Sequence, residues 1–124
     1  MTMNREERLS NGLRITFIDE TNRYFGDYHR VCLRVVMFVD LGAAAGVAED
    51  AEFWSAAQDV LGDEFTIEKK LVRMGVPGAE VDAMITSLAD EFMKAASDYM
   101  ARPDYLKRLA QTEMDKRKKV VRFP

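Results

Sequence analysis

The sequence has one cysteine, Cys32, and one histidine, His29, in 124 residues. A lone cysteine excludes a disulfide framework within the chain and points to a reducing compartment. With no second histidine or cysteine and no known ligand spacing, a metal centre reduces to one pairing on paper, Asp19 and Asp27 with His29, and neither a metal nor another cofactor is expected. No run approaches the roughly 18 apolar residues of a membrane span. The N-terminus, Met1-Thr-Met-Asn-Arg-Glu-Glu-Arg8, has no apolar core of the kind a secretory signal needs. The cytoplasm is the expected location. Gly-x-Gly-x-x-Gly, P-loop and Cys-x-x-Cys motifs are absent. No nucleophile is identifiable beside His29 and Asp27, so the sequence indicates no class of enzyme.

What is present describes an ordinary globular chain. At 48% apolar and 31% charged residues it is neither disordered nor fibrous. Its length suits one domain spanning residues 1–124, large enough to bury a core without disulfide or metal staples. Eight methionines are many for this length and suit irregular core gaps or adaptable contact surfaces. Charge is unevenly spread. Residues 41–64 carry Glu49, Asp50, Glu52, Asp59, Asp63 and Glu64 with no Lys or Arg, whereas 103–124 are rich in bases. Such asymmetry favours an interaction without naming the partner.

Patterning predicts α+β architecture: a small antiparallel sheet, built on an N-terminal hairpin plus a third strand, packed by C-terminal helices. Residues 1–10 are polar and expected to fray. Leu13, Ile15 and Phe17 alternate as one face of a strand. A second strand, about Arg30 to Val39, puts Val31, Leu33, Val35, Met37 and Val39 on one face and Arg30, Cys32 and Arg34 on the other. From Val36 both faces are apolar, which predicts cover on both sides there. Cys32 between two arginines has a basic setting of the kind a reactive thiol needs, but a buried, inert thiol is expected. The connection between these strands reads as longer than a two-residue loop. The glycine-containing stretch 41–48 marks a break. A helix follows over about 48–61, with Phe53, Ala56 or Ala57, Val60 and Leu61 recurring at helical steps. Residues 64–75 fit a third strand with an irregularity near Lys69-Lys70, or a helix aligning Ile67, Leu71 and Met74; the strand is favoured because two strands alone make a poor sheet. Val76-Pro77-Gly78 is a break. A long helix then runs about 79–101, with Val81, Met84, Ile85, Leu88, Phe92, Ala95 and Tyr99 as its stripe. A last helix spans Asp104 to about Lys116.

The segments "NGLRITFIDETNRYFGDYHRV", "EKKLVRMGVPGAEVDAM" and "YMARPDYLKRL" resemble a family of small uncharacterised bacterial proteins over about residues 11–110. The resemblance implies no activity. It implies a strand for 65–74.

Two stretches concentrate interaction chemistry. The 20–30 turn holds Arg23, Tyr24, Phe25, Asp27, Tyr28, His29 and Arg30, a candidate binding set with aromatic contact area and cationic anchors. The alternative is an ordinary hairpin end, its rings covering the sheet edge and Asp27 tying the turn locally. The basic tail, residues 116–124, holds Lys116, Arg117, Lys118, Lys119 and Arg122. It suits phosphate contact, pairing with the acidic 49–64 segment, or a solvated helix end. The long helix outreaches three short strands, and uncovered apolar surface favours a homodimer. The expectation is a non-catalytic protein-interaction or small regulatory module whose partner is itself or another protein. Weak nucleic-acid binding through the tail, and a small-ligand or enzymatic site at the 20–30 turn, are the alternatives.

Overall fold

A computed structural model describes residues 4–9, 12–42, 51–100, 102 and 104–121, with side chains described through Arg117. The fold is α+β. Among the described residues a five-stranded antiparallel sheet carries three α-helices. The order along the chain is β1 (Asn4–Arg8), β2 (Arg14–Asp19), β3 (Asn22–Phe25), β4 (Tyr28–Asp40), α1 (Ala51–Leu61), β5 (Glu64–Pro77), a 3-10 turn (Gly78–Glu80), α2 (Val81–Tyr99) and α3 (Tyr105–Val121). None of these helices is long and apolar enough to cross a membrane.

β4 organises the sheet. Its 13 residues pair with β5 along their whole length on one side. On the other side, β2 pairs residues Leu33 to Phe38 and β3 pairs Tyr28 to Arg30, so β2 and β3 form one interrupted line. The odd-numbered face of β4 is the core face. Leu13, Ile15, Phe17, Val31, Leu33, Val35, Met37 and Val39 are buried there against Ile85, Leu88 and Ala89 of α2 and Trp54 and Ala57 of α1. Phe17 meets Phe92 edge to face, with ring centroids 5.7 Å apart.

Several expectations are corrected. Residues 4–8 are not frayed: β1 pairs with β2 from Asn4↔Ile18 to Arg8↔Arg14. Arg5 reaches α2, 2.7 Å from Asp90, and its guanidinium lies over the Phe17 ring. The connection between β2 and β4 is longer than a two-residue loop, as expected, but it contains a further strand, β3. Phe25 pairs with Tyr28, leaving Gly26-Asp27 as a two-residue turn in which Gly26 takes a positive φ, as primed hairpin turns require. In α1 the buried stripe is Trp54, Ala57 and Leu61, while Val60 is exposed. Glu49 and Asp50 lie outside the described residues. The stripe of α2 drifts toward Ala89, Ala96 and Met100, leaving Ala95 and Tyr99 exposed. Seven residues of a straight helix fall about 20° short of two full turns, so a seven-residue stripe drifts off one face. α3 continues past Lys116 to Val121.

β5 is the strand that the third-strand expectation placed at 64–75, but its irregularity lies elsewhere. Pairing is regular through Lys69 and Lys70 and shifts between His29↔Val76 and Val31↔Arg73. The extra residue falls at Met74-Gly75, where Gly75 has a φ of +69° that a β-carbon would strain. The shift returns Val76 to the core face, where it is buried.

The second face of the sheet carries charge rather than a second described layer of helix. Arg34 lies between Glu20 and Glu68, Lys70 adds to Glu20, and the Arg14 guanidinium covers the Phe38 ring at 4.4 Å. Aliphatic stems of such residues cover apolar surface while their heads stay wet. Val36 and Cys32 are buried among these side chains. Cys32 is a free, buried thiol on a strand whose backbone is tied to Glu20 and Thr21.

Tyr105 is buried at the start of α3, and burial, followed by the neighbouring Tyr99, raises its phenol above the ordinary 10.0. The folded state therefore holds this proton more tightly than the unfolded chain. The stabilisation is complete below pH 10.0 and is lost as pH rises through the folded value. Urea unfolding should show stability falling above pH 10.0, and Tyr105→Phe should flatten that fall while changing little at neutral pH.

Candidate functional site

Arg23, Tyr24, Phe25, Asp27, Tyr28, His29 and Arg30 all sit at the β3–β4 hairpin end, and the structure brings them together. Phe25 is 72% exposed, Tyr24 and Tyr28 are each 49% exposed, and Met74 on β5 is 60% exposed. Most other large apolar side chains described are buried or half-buried. By register, Asn22, Phe25, Tyr28 and Arg30 share the charged face of the sheet, and Arg23 pairs with His29 on the opposite one. The Tyr24 hydroxyl lies 3.8 Å from where a β-carbon on Gly75 would stand. Its ring therefore crosses β4 and reaches β5. The result is an aromatic and methionine surface on a paired hairpin.

Asp27 and His29 have a different setting. The Gly78 N–H donates to the Asp27 carbonyl oxygen at 3.0 Å and lies 3.3 Å from the Asp27 carboxylate. His29 Nδ1 is 3.0 Å from the same Asp27 carbonyl. A carbonyl only accepts, so Nδ1 is the donor in this contact. A β-carbon on Gly78 would stand 2.6 Å from Asp27 Oδ1 and 3.3 Å from the His29 ring. The turn is thus tied locally, through His29 and the Asp27 carbonyl, and also to the start of the helical segment 51 residues later, through Gly78 and the Asp27 carboxylate. Asp27→Ala should cost about 1 kcal/mol in a urea titration, and Asp27→Asn should retain most of it.

The pairing of Asp19 with Asp27 and His29 as metal ligands is not assembled. Asp19 pairs with Leu33, four residues along β4 from His29. That separation is roughly 13 Å at the strand rise. Asp19 instead accepts from the Thr21 N–H at 2.8 Å. Among the described residues no group of three His, Cys, Asp or Glu side chains is placed to hold a metal ion.

The basic tail lies in and beyond the last turns of α3. Lys116 stands 4.0 Å from Glu113. The Arg117 guanidinium donates to the Val60 carbonyl at 3.2 Å, at the C-terminal end of α1 where helix carbonyls lack intrahelical donors. The acidic helix α1 and basic helix α3 pack against each other in the same chain. The side chains of Lys118 and Lys119, and Arg122 entirely, lie outside the described residues.

Sequence patterning missed Met74, Gly75 and Gly78. Val76-Pro77-Gly78 reads as a break in a linear sequence, and only the bulge in β5 brings it beside the turn. No family model, curated protein sequence or solved structure matches the chain.

Proposed function

We propose that the protein is a non-catalytic interaction module whose contact surface is the hairpin end, and that its first partner is a second copy of itself. The observation that carries this reading is that four of the six exposed large apolar side chains among the described residues, Phe25, Tyr24, Tyr28 and Met74, lie at one end of the fold, Val60 and Tyr99 being the other two. Aromatic and arginine side chains dominate the centres of protein interfaces. By register Arg30 shares the face of Phe25 and Tyr28, and Arg23 lies on the opposite face of the same hairpin.

The sheet edges support the same reading. Edges left free in folded proteins are blunted with charge or bulges. β1 carries Arg5, Glu6, Glu7 and Arg8; β5 carries Glu68, Lys69, Lys70 and the Gly75 bulge. β3 is four exposed residues, two of them aromatic, and no described strand pairs with its outer edge. Two antiparallel copies of one edge meet across a two-fold axis with each surface serving both partners.

Gel filtration with light scattering across a concentration series tests the reading. A concentration-dependent dimer dissociated by Phe25→Asp supports it. Salt-sensitive binding of a random oligonucleotide, lost on deleting 116–124, would place function in the tail instead.

A further inference from the structure

A second surface feature lies on the helix-covered side of the sheet, away from the hairpin aromatics. Where β5 meets the junction of α2 and α3 there is a cleft of about 260 Å³. Its floor is apolar, from Met37 and Ile67. Its walls are Tyr99 and Tyr105, with ring centroids 5.2 Å apart and planes inclined at 63°. Its rim carries two cations, Lys69 and Arg108, and among the described residues no acidic side chain lines it. The volume is a little under the ~300 Å³ at which pockets for drug-sized molecules begin, so it suits a small one.

The cations are placed by the fold. Lys69 pairs with Val35, which puts it on the same face as Met37 and Ile67; Val35 and Met37 are buried there, Ile67 is half-buried and Lys69 itself is exposed. Arg108 sits one helical turn after Asp104 and holds its carboxylate at 3.2 Å, with both side chains exposed. An exposed pair of this kind contributes little, and a better-anchored carboxylate can replace it. A guanidinium also offers the planar fork that a carboxylate matches in two bonds. Tyr99 is half exposed and offers a ring for a planar ligand. Burial, followed by the neighbouring Tyr99, raises the Tyr105 phenol further above its ordinary value, so Tyr105 adds no negative charge at neutral pH.

We propose that this cleft binds a small aromatic carboxylate, its ring against Tyr99 and Tyr105 over the Met37–Ile67 floor and its carboxylate between Arg108 and Lys69. Arg108 exchanges Asp104 for the ligand on binding. The site is separate from the hairpin contact surface and does not depend on it.

Amide and side-chain NMR shifts of the full chain, titrated with benzoate, acetate and benzyl alcohol, test this. Benzoate should give saturable shifts centred on Lys69, Tyr99, Tyr105 and Arg108 in the millimolar range. Acetate, without the ring, and benzyl alcohol, without the charge, should bind at least about tenfold more weakly. Lys69→Met with Arg108→Gln should weaken benzoate by about tenfold or more. Asp104→Asn puts a residue suited to a helix start just before Tyr105 and frees Arg108, and should tighten benzoate severalfold. Failure of benzoate to saturate, equal binding of benzyl alcohol, or indifference to both sets of substitutions would overturn the proposal. Because Asp104→Asn is read as a gain, loss of fold cannot imitate the supporting result.

Discussion

Phe17→Ala should destabilise the protein by about 3–5 kcal/mol, the largest single-residue effect expected on folding. Phe17 is buried in the middle of β2, and the sheet is assembled around it from three directions. It pairs with Val35 of β4 on one side and Arg5 of β1 on the other. Its ring also meets that of Phe92 from α2, with the two planes nearly perpendicular. Removing it leaves a cavity between sheet and helix, deletes an aromatic pair worth about 0.5–1.5 kcal/mol beyond its area, and takes away the surface under the Arg5 guanidinium. A domain of this size has a total stability on the order of 5–15 kcal/mol, so the loss is a large share of it. Equilibrium urea unfolding measures the change directly. Phe38→Ala provides the contrast: Phe38 lies on the charged face under Arg14, half-buried, and its loss should cost clearly less. Equal effects would mean that the helix-covered face is not the main core.

Phe25→Asp should have the opposite profile, with little effect on folding and a large one on association. Among the described residues Phe25 is the most exposed large apolar side chain and packs little of itself against its own chain. Placing a carboxylate there removes the central apolar contact and brings two like charges together across a two-fold interface. A central interface residue typically accounts for 2 kcal/mol or more, so the dimer dissociation constant should rise roughly thirtyfold or further. Thermal unfolding at a concentration where both proteins are monomeric should give nearly the same midpoint. A large fall in that midpoint would return Phe25 to the role of a sheet cover. Tyr24→Ala should act in the same direction, but its ring also spans β4 toward Gly75, so some stability should be lost with it.

Much of this fold is legible in the sequence wherever one side of an element is buried. Leu13, Ile15 and Phe17, and Val31 through Val39, alternate because only one face meets the helices. The helical spacing of Leu106, Ala110 and Met114 is equally direct. Legibility fails where an element buries nothing on its own account. β1 is Asn-Arg-Glu-Glu-Arg; its strand character comes from backbone pairing and from contacts such as Arg5 with Asp90 on a helix 85 residues away. β3 is exposed at all four positions, so no alternation marks it. In α1 the sequence contains two nearly equivalent stripes, and the larger area of Trp54 directs the helix to bury it with Ala57 and Leu61.

The candidate site divides in the same way. The composition of residues 23–30 already identifies a dense cluster of aromatic and charged side chains. It does not separate the members that face solvent from those that hold the turn. That division depends on the bulge at Met74-Gly75, which places Gly78 against Asp27 and His29 and leaves Tyr24, Phe25 and Tyr28 uncovered. A long-range register shift of one residue has no signature in local sequence. The expected cause of an exposed apolar surface also moves. Apart from Tyr99, the apolar residues of α2 are largely covered, and the uncovered rings lie at the opposite, hairpin end of β4.

The central claim is that the hairpin end joins two copies of the chain. Sedimentation equilibrium of the unaltered protein beside Phe25→Asp tests it most directly. The account predicts a species of twice the 14.2 kDa chain mass for the unaltered protein and a 14.2 kDa species for Phe25→Asp at the same loading. A 14.2 kDa monomer for both at every accessible concentration, or a dimer that Phe25→Asp leaves intact, would contradict it.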